Sequence, residues 1–141
     1  MKNFIRAFLV LFVVVAGYAL FMYFKPVPGT SGQDPVYRIS ASDLFEAYEN
    51  DQDNAKIKFE GKVIEVEGEI LEVTYQEGVL TSVLLSGGSE LNAVNCSMEA
   101  GTVATEGKLK SGTVIKVKGV CQGIMDSDLF ADVILNRCVI E

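Results

Sequence analysis

Residues 7–24, AFLVLFVVVAGYALFMYF, are eighteen consecutive positions without a charge. A helix of 18–21 such residues is about 27–32 Å long at about 1.5 Å per residue, which matches the hydrocarbon core of a bilayer. All nineteen Asp and Glu come after residue 33, and from Pro26 onward nine Lys and Arg face them, a balance of −10. The chain therefore reads as a transmembrane anchor over 1–25 joined to an acidic domain. Lys2 and Arg6 precede the run, and after Lys25 no cation appears until Arg38, so the positive-inside rule puts the N-terminus in the cytoplasm and the domain outside, on an inner membrane. Phe21, Tyr23 and Phe24 suit the far interface, with Lys25 reaching the headgroups. A cleaved signal peptide is the alternative, since Gly17-Tyr18-Ala19 imitates a small-x-small cut site. Its apolar core is usually shorter, and cutting there would leave Leu20–Phe24 as an exposed apolar tail.

Residues 26–38 contain all three prolines and no apolar period, the pattern of a flexible linker. The domain over 39–141 opens with a helical stretch at 40–50. Ser40 or Ser42 can cap it, Asp43 suits its positive end, and Leu44, Phe45 and Tyr48 form one apolar face, which Ala55, Ile57 and Phe59 could continue. After Gly61 the period becomes two. Ile64, Val66 and Ile70 alternate with Glu65, Glu67 and Glu69; then the phase slips to Leu71 and Val73, as in a bulged strand serving two sheets. Further strands fit 79–85, 91–98, 113–121 and 132–140. Tyr75–Gly78 reads as a turn, and 99–112 as a short helix or irregular connection. Five strands with one long connection after the third fit a mainly β, five-stranded OB-fold barrel with a short N-terminal helix. An SH3-like barrel and a small open sandwich are the competitors.

The wording of the second half is specific. Val94-Asn95-Cys96-Ser97, Leu109-Lys110-Ser111-Gly112, Val117-Lys118-Gly119-Val120-Cys121-Gln122-Gly123 and Asp132-Val133-Ile134-Leu135-Asn136-Arg137-Cys138 resemble the tRNA-anticodon-binding-like (tRNA_anti-like) OB-fold proteins of bacterial envelopes, over about residues 40–141. The resemblance implies the fold and no particular activity. It also exposes a departure: Ile124–Ala131 enlarges the connection between the last two strands.

OB-folds bind through one face and the loops after strands one and four. That singles out Tyr75 in the first loop and Phe130 in the second as candidate ligand-binding aromatics. Single-stranded nucleic acid needs stacking platforms and a basic groove. A domain at −10 with two loop aromatics and no Trp suits that poorly, so protein, peptide or a small envelope ligand is the expected partner beside the membrane, and single-stranded nucleic acid is the alternative. The absence of His removes the Ser-His-Asp and Cys-His pairs, no spacing isolates a carboxylate pair, and no catalytic residue stands out. No cofactor or metal is implied: Asp126, Asp128 and Asp132 lack the ligand spacing of a calcium loop, and Cys96, Cys121 and Cys138 contain no C-x-x-C. In an oxidising compartment Cys96 and Cys138, late in the parallel third and fifth strands, are the better disulfide pair, with Cys121 at the opposite end; three buried thiols are the alternative. Glu65, Glu67 and Glu69 are expected to face Lys116 and Lys118 across strands and to fix register, not to bind a ligand.

Overall fold

Ser40 ends a short strand, β1 (Tyr37–Ser40), and caps the helix that follows: its Oγ accepts from the Asp43 backbone N–H at 3.1 Å, opening α2 (Ala41–Asn50). Asp51 repeats the device, accepting from Asn54 N–H at 3.1 Å to start α3 (Gln52–Phe59). An N-cap satisfies one of the unpaired donors of a first turn, so two caps eleven residues apart give two helices. α2 buries Leu44, Phe45 and Tyr48 as the apolar period requires, joined by Ala41. α3 buries Ala55 and Phe59 but turns Ile57 to solvent, so Ile57 does not continue the apolar face expected of it. The computed structural model describes residues 1–24, 29–102 and 107–141, side chains of residues 2 and 3 apart.

The strands are β2 (Val63–Gln76), β3 (Val79–Ser89), β4 (Asn92–Met98), β5 (Val114–Asp126) and β6 (Ala131–Ile140). They run β2-β3-β4-β6-β5, and β5 returns to β2, closing a five-stranded barrel. Only β4 and β6 are parallel within the ring; β1 lies outside it, parallel to β2. This is the strand order of an OB-fold. β2 is the shared strand: Val63–Glu69 pair with β5, and Ile70–Gln76 pair with β3. A register shift between Ile70 and Glu72 explains the phase slip, and it leaves Leu71 exposed instead of buried while Ile70 and Val73 face inward. The core fills the barrel with Ile64, Val66, Val83, Leu85, Val94 and Leu135, and α2 and Phe59 of α3 extend it. The described residues of the connection after β4, 99–102 and 107–113, form turns and no helix; 103–106 lie outside the described residues. The helical cover comes from α2 and α3 before the barrel, where the helical stretch at 40–50 is expected, and of the two forms left open for 99–112 its described residues take the irregular one.

The segment expected as a linker lies on the barrel from Gly29 onward; residues 25–28 are outside the described residues. Thr30 is fully buried in a 3-10 turn, Thr30–Gly32, that contacts β5 and β6. Lys118 Nζ donates to Ser31 O at 3.3 Å and pairs with Glu141 at 2.8 Å. The strand pairing behind the expected charge set is present, with Glu65 opposite Lys118 and Glu67 opposite Lys116. The details differ. Lys116 meets Glu67 at 3.6 Å in the open, Glu65 pairs with Arg38 at 3.7 Å, and Glu69 stands opposite Val114. Lys118 is buried, because the 3-10 turn covers it.

From residue 7 onward α1 (Lys2–Tyr23) is apolar on every face, and none of its span Phe4–Tyr23 is buried by the rest of the chain. It is long and apolar enough to cross a membrane, a test that a signal sequence also passes.

Candidate functional site

β4 and β6 begin side by side, with Asn92 opposite Ala131. The hairpin turn before β4 and the loop before β6 therefore emerge together at one end of the barrel. α2 packs on β3 and β4 beside them. Between helix and loops lies an open groove of about 610 Å³. Phe45, Tyr48, Glu49 and Gln52 line it from the helical side, Leu91 from the β3–β4 turn, and Phe130 with Leu129 from the β5–β6 loop. This volume falls in the range of pockets that hold small ligands or a few side chains.

The loop is fixed by its own hydrogen bonds. Ser127 N–H and Ser127 Oγ both donate to Phe130 O, at 3.0 and 2.8 Å, and Phe130 N–H points at Ser127 Oγ at 3.4 Å. That tight turn holds the next side chains outward: Leu129 is 78% exposed and Phe130 51%, beside Leu91 at 65%. Large apolar side chains in solvent gain little for the fold, so this cluster is a candidate contact surface. The charged residues lining the groove are Glu49 and Asp126, both acidic.

Phe130 lines this groove, in the loop where the sequence put it. Tyr75 does not. The turn begins at Glu77, so Tyr75 is a strand residue, paired with Leu80, half-buried against the core, and its hydroxyl is buried with no hydrogen-bond partner among the described residues. Sequence reasoning missed Leu91, Leu129 and Ser127, although the enlarged segment Ile124–Ala131 pointed to the place. The groove wall from α2 could not be read at all, because it depends on how the helix packs on the barrel.

The strand face through which OB-folds contact oligonucleotides is formed here by β3 and β4. Its outward residues include Ser82, Leu84, Ser86, Asn95 and Ser97, with no aromatic and no cation.

The three cysteines are buried thiols. Cys121 is a mid-strand residue, not a strand end: it pairs with Leu135, which on its other side pairs with Cys96, so Cys96 and Cys121 share a level of the barrel. Tyr48 and Cys121 are in contact, Oη to Sγ at 3.5 Å. Burial first, then that contact, pushes the Tyr48 phenol up; burial also pushes the Cys121 thiol up. Cys138 is raised by its hydrogen bond with the Cys96 thiol and then by burial. Thiols raised in this way, as Cys121 and Cys138 are, are poor nucleophiles and poor metal ligands, and as free thiols all three side chains pack in the core. Gly119 fits over it because it has no side chain: a Cβ there would stand 2.5 Å from Cys138 Sγ.

The model of the tRNA_anti-like family matches residues 1–139. No curated protein matches the sequence. Among solved structures, a putative nucleic acid-binding lipoprotein from Klebsiella pneumoniae subsp. pneumoniae MGH 78578 is 16% identical, with a TM-score of 0.54, over 74% of this chain and 90% of that one. A putative aspartyl-tRNA synthetase from Leishmania major Friedlin is 13% identical, with a TM-score of 0.43, over 89% of this chain and 26% of that one. At these identities the likeness to the lipoprotein is one of fold.

Proposed function

The chain belongs to the tRNA_anti-like family, and from that premise we propose that it is a binding module, not an enzyme, held at the outer face of the inner membrane by α1 and taking its ligand in the groove at the β5–β6 loop. One observation carries the reading: the exposed apolar side chains Leu91, Leu129 and Phe130 gather at a groove whose loop wall is pre-ordered by Ser127. A pre-ordered loop spends little conformational freedom on binding.

The fold supports a defined placement. From Phe24 at the end of α1 to Gly29 on the barrel are five Cα steps, at most ~19 Å at about 3.8 Å each. The 3-10 turn docks where β4 and β6 finish, beside Glu99 and Glu141, and the groove lies where they begin. The seven residues of β4 put roughly 20 Å between the two ends. An anchored barrel would sit close to the bilayer and present its groove away from the tethered end.

The name of the Klebsiella relative raises the competing reading, binding of single-stranded nucleic acid. The bare β3–β4 face and the −10 balance count against it. Titration of labelled single-stranded DNA and RNA with the full chain in neutral-lipid nanodiscs, from 50 to 300 mM salt, separates the two. No saturable binding is expected. Tight binding that weakens steeply with salt would overturn the ranking. Carbonate extraction of native membranes tests the anchor: the protein should stay with the pellet.

A further inference from the structure

The groove's composition names a ligand class. Its apolar wall comes from Phe45, Leu91, Ile124, Leu129 and Phe130, and the charges in its lining are the carboxylates of Glu49 and Asp126. We infer, on the reading that this groove is the binding site, that it takes an extended peptide segment of a partner protein that presents an apolar side chain flanked by Lys or Arg.

Three features converge on that occupant. The volume of about 610 Å³ accommodates a few side chains and not a folded domain. The apolar surface is presented, not collapsed: Leu129 and Phe130 stay in solvent because the Ser127–Phe130 hydrogen bonds hold the loop backbone. A ring so held is an anchor for a partner's apolar side chain at low entropic cost. The carboxylates sit on opposite walls, Glu49 on α2 and Asp126 at the end of β5, so a cation beside the apolar anchor finds an acceptor on either side. A domain at −10 draws cationic segments toward it and repels nucleic acid and anionic lipid headgroups alike.

Octapeptides of alternating Lys and Leu, the same with Glu for Lys, and Lys with Ser for Leu probe this directly. Each is titrated against the full chain in neutral-lipid nanodiscs, with empty nanodiscs subtracted. The Lys/Leu peptide should bind saturably, and Phe130→Ser or the pair Glu49→Gln with Asp126→Asn should each weaken it tenfold or more. The Glu/Leu and Lys/Ser peptides should bind at least tenfold more weakly than Lys/Leu. These surface positions leave the fold intact, which thermal melting of each variant checks. If Glu/Leu binds as well as Lys/Leu and loses affinity with Phe130→Ser, the ligand class is wrong and the groove stands. If no peptide responds to Phe130→Ser, both the class and the groove fail. Binding to anionic phosphatidylglycerol vesicles that disappears with Phe130→Ser, with no peptide bound, would assign the patch to lipid and overturn the inference.

Discussion

Where β4 and β6 finish, a buried lysine, a glutamate and a 3-10 turn close the barrel over itself. Where the same strands begin, Leu91, Leu129 and Phe130 stand in solvent beside a groove. Each end breaks the usual sorting of side chains, in opposite directions. A cation is taken out of water at one, and three large apolar groups are left in it at the other. The buried cation is paired and hydrogen-bonded, so its cost is offset locally and it fixes how the incoming chain docks. The exposed apolar groups have no such offset within the chain. On the proposed reading, one end is accounted for by folding and the other by what the protein contacts. Substitutions at the closed end should change stability, and those at the open end should change binding.

The largest effect is expected at Lys118. Lys118→Glu puts a carboxylate against Glu141, which now lies 2.8 Å from the ammonium, beneath the turn at Ser31. Leaving a buried charge unpaired costs about 3–5 kcal/mol; Glu141 is partly open, which favours the lower part of that range. Urea unfolding of the chain in detergent should show a loss of about 3 kcal/mol. A loss below 1 kcal/mol would mean that the turn opens freely and the closed end is not closed.

Next come the thiols. Cys138 contacts Cys96 toward the closed end, and Cys121 contacts Tyr48 beneath the groove. Both thiols are raised above their ordinary value of 9.0. For a raised acid the folded state keeps its proton where the unfolded state loses it. The stabilisation is therefore full below about pH 9 and is lost as pH rises above it, at no more than about 1.4 kcal/mol per pH unit for each thiol. Stability measured from pH 7 to 10.5 should be flat and then fall, and Cys138→Ala should make that fall shallower. An unchanged slope would place Cys138 in contact with water. The same contact supports a proposal about redox state: in an oxidising compartment Cys96 and Cys138 bridge and Cys121 stays free. Intact mass after alkylation under denaturing conditions should then show one modified cysteine, and three would remove the bridge.

What the sequence could show follows from what kind of physics set it. Period-two alternation, the Ser40 cap and the phase slip after Ile70 are local, and the barrel order followed from them. The face of α2 was legible in Leu44, Phe45 and Tyr48 for the same reason. Lys118 was misread because it alternates outward like Lys116, and only a segment eighty-seven residues away in sequence covers it. Tyr75 was misread by two positions at a hairpin, since Tyr-Gln-Glu-Gly suits a turn anywhere along its length. Half of the groove was marked by the enlarged segment Ile124–Ala131 and by Phe130 within it. The other half belongs to α2 and exists only through tertiary packing.

A smaller effect is expected at Lys116. Its pair with Glu67 is 3.6 Å long with both side chains about half exposed. Cross-strand pairs of this kind contribute roughly 0.2–1 kcal/mol and are screened by salt. Lys116→Glu should cost less than 1 kcal/mol at low salt, Glu67→Lys should restore most of it, and both differences should shrink at 0.5 M salt. A cost equal to that of Lys118→Glu would erase the distinction between the exposed and covered lysines.

The smallest effect on stability should come from the open end, and it is the sharpest test of the contrast. Leu129 is 78% exposed, and the hydrogen bonds that hold its loop involve Ser127 and Phe130, not its own side chain. Leu129→Ser removes an apolar group that was already in water, so the folded and unfolded states lose nearly the same thing, and such surface changes stay within about 0.5 kcal/mol. Ser127→Ala is different: it deletes the Oγ that donates at 2.8 Å to Phe130 O, a neutral hydrogen bond worth about 0.5–1.5 kcal/mol. If the loop serves binding, both variants should weaken Lys/Leu peptide binding, the first by removing contact and the second by loosening Phe130, while only the second registers in unfolding. A Leu129→Ser variant destabilised by 2 kcal/mol would show that the loop packs on the barrel in solution, and the open end would then be part of the fold.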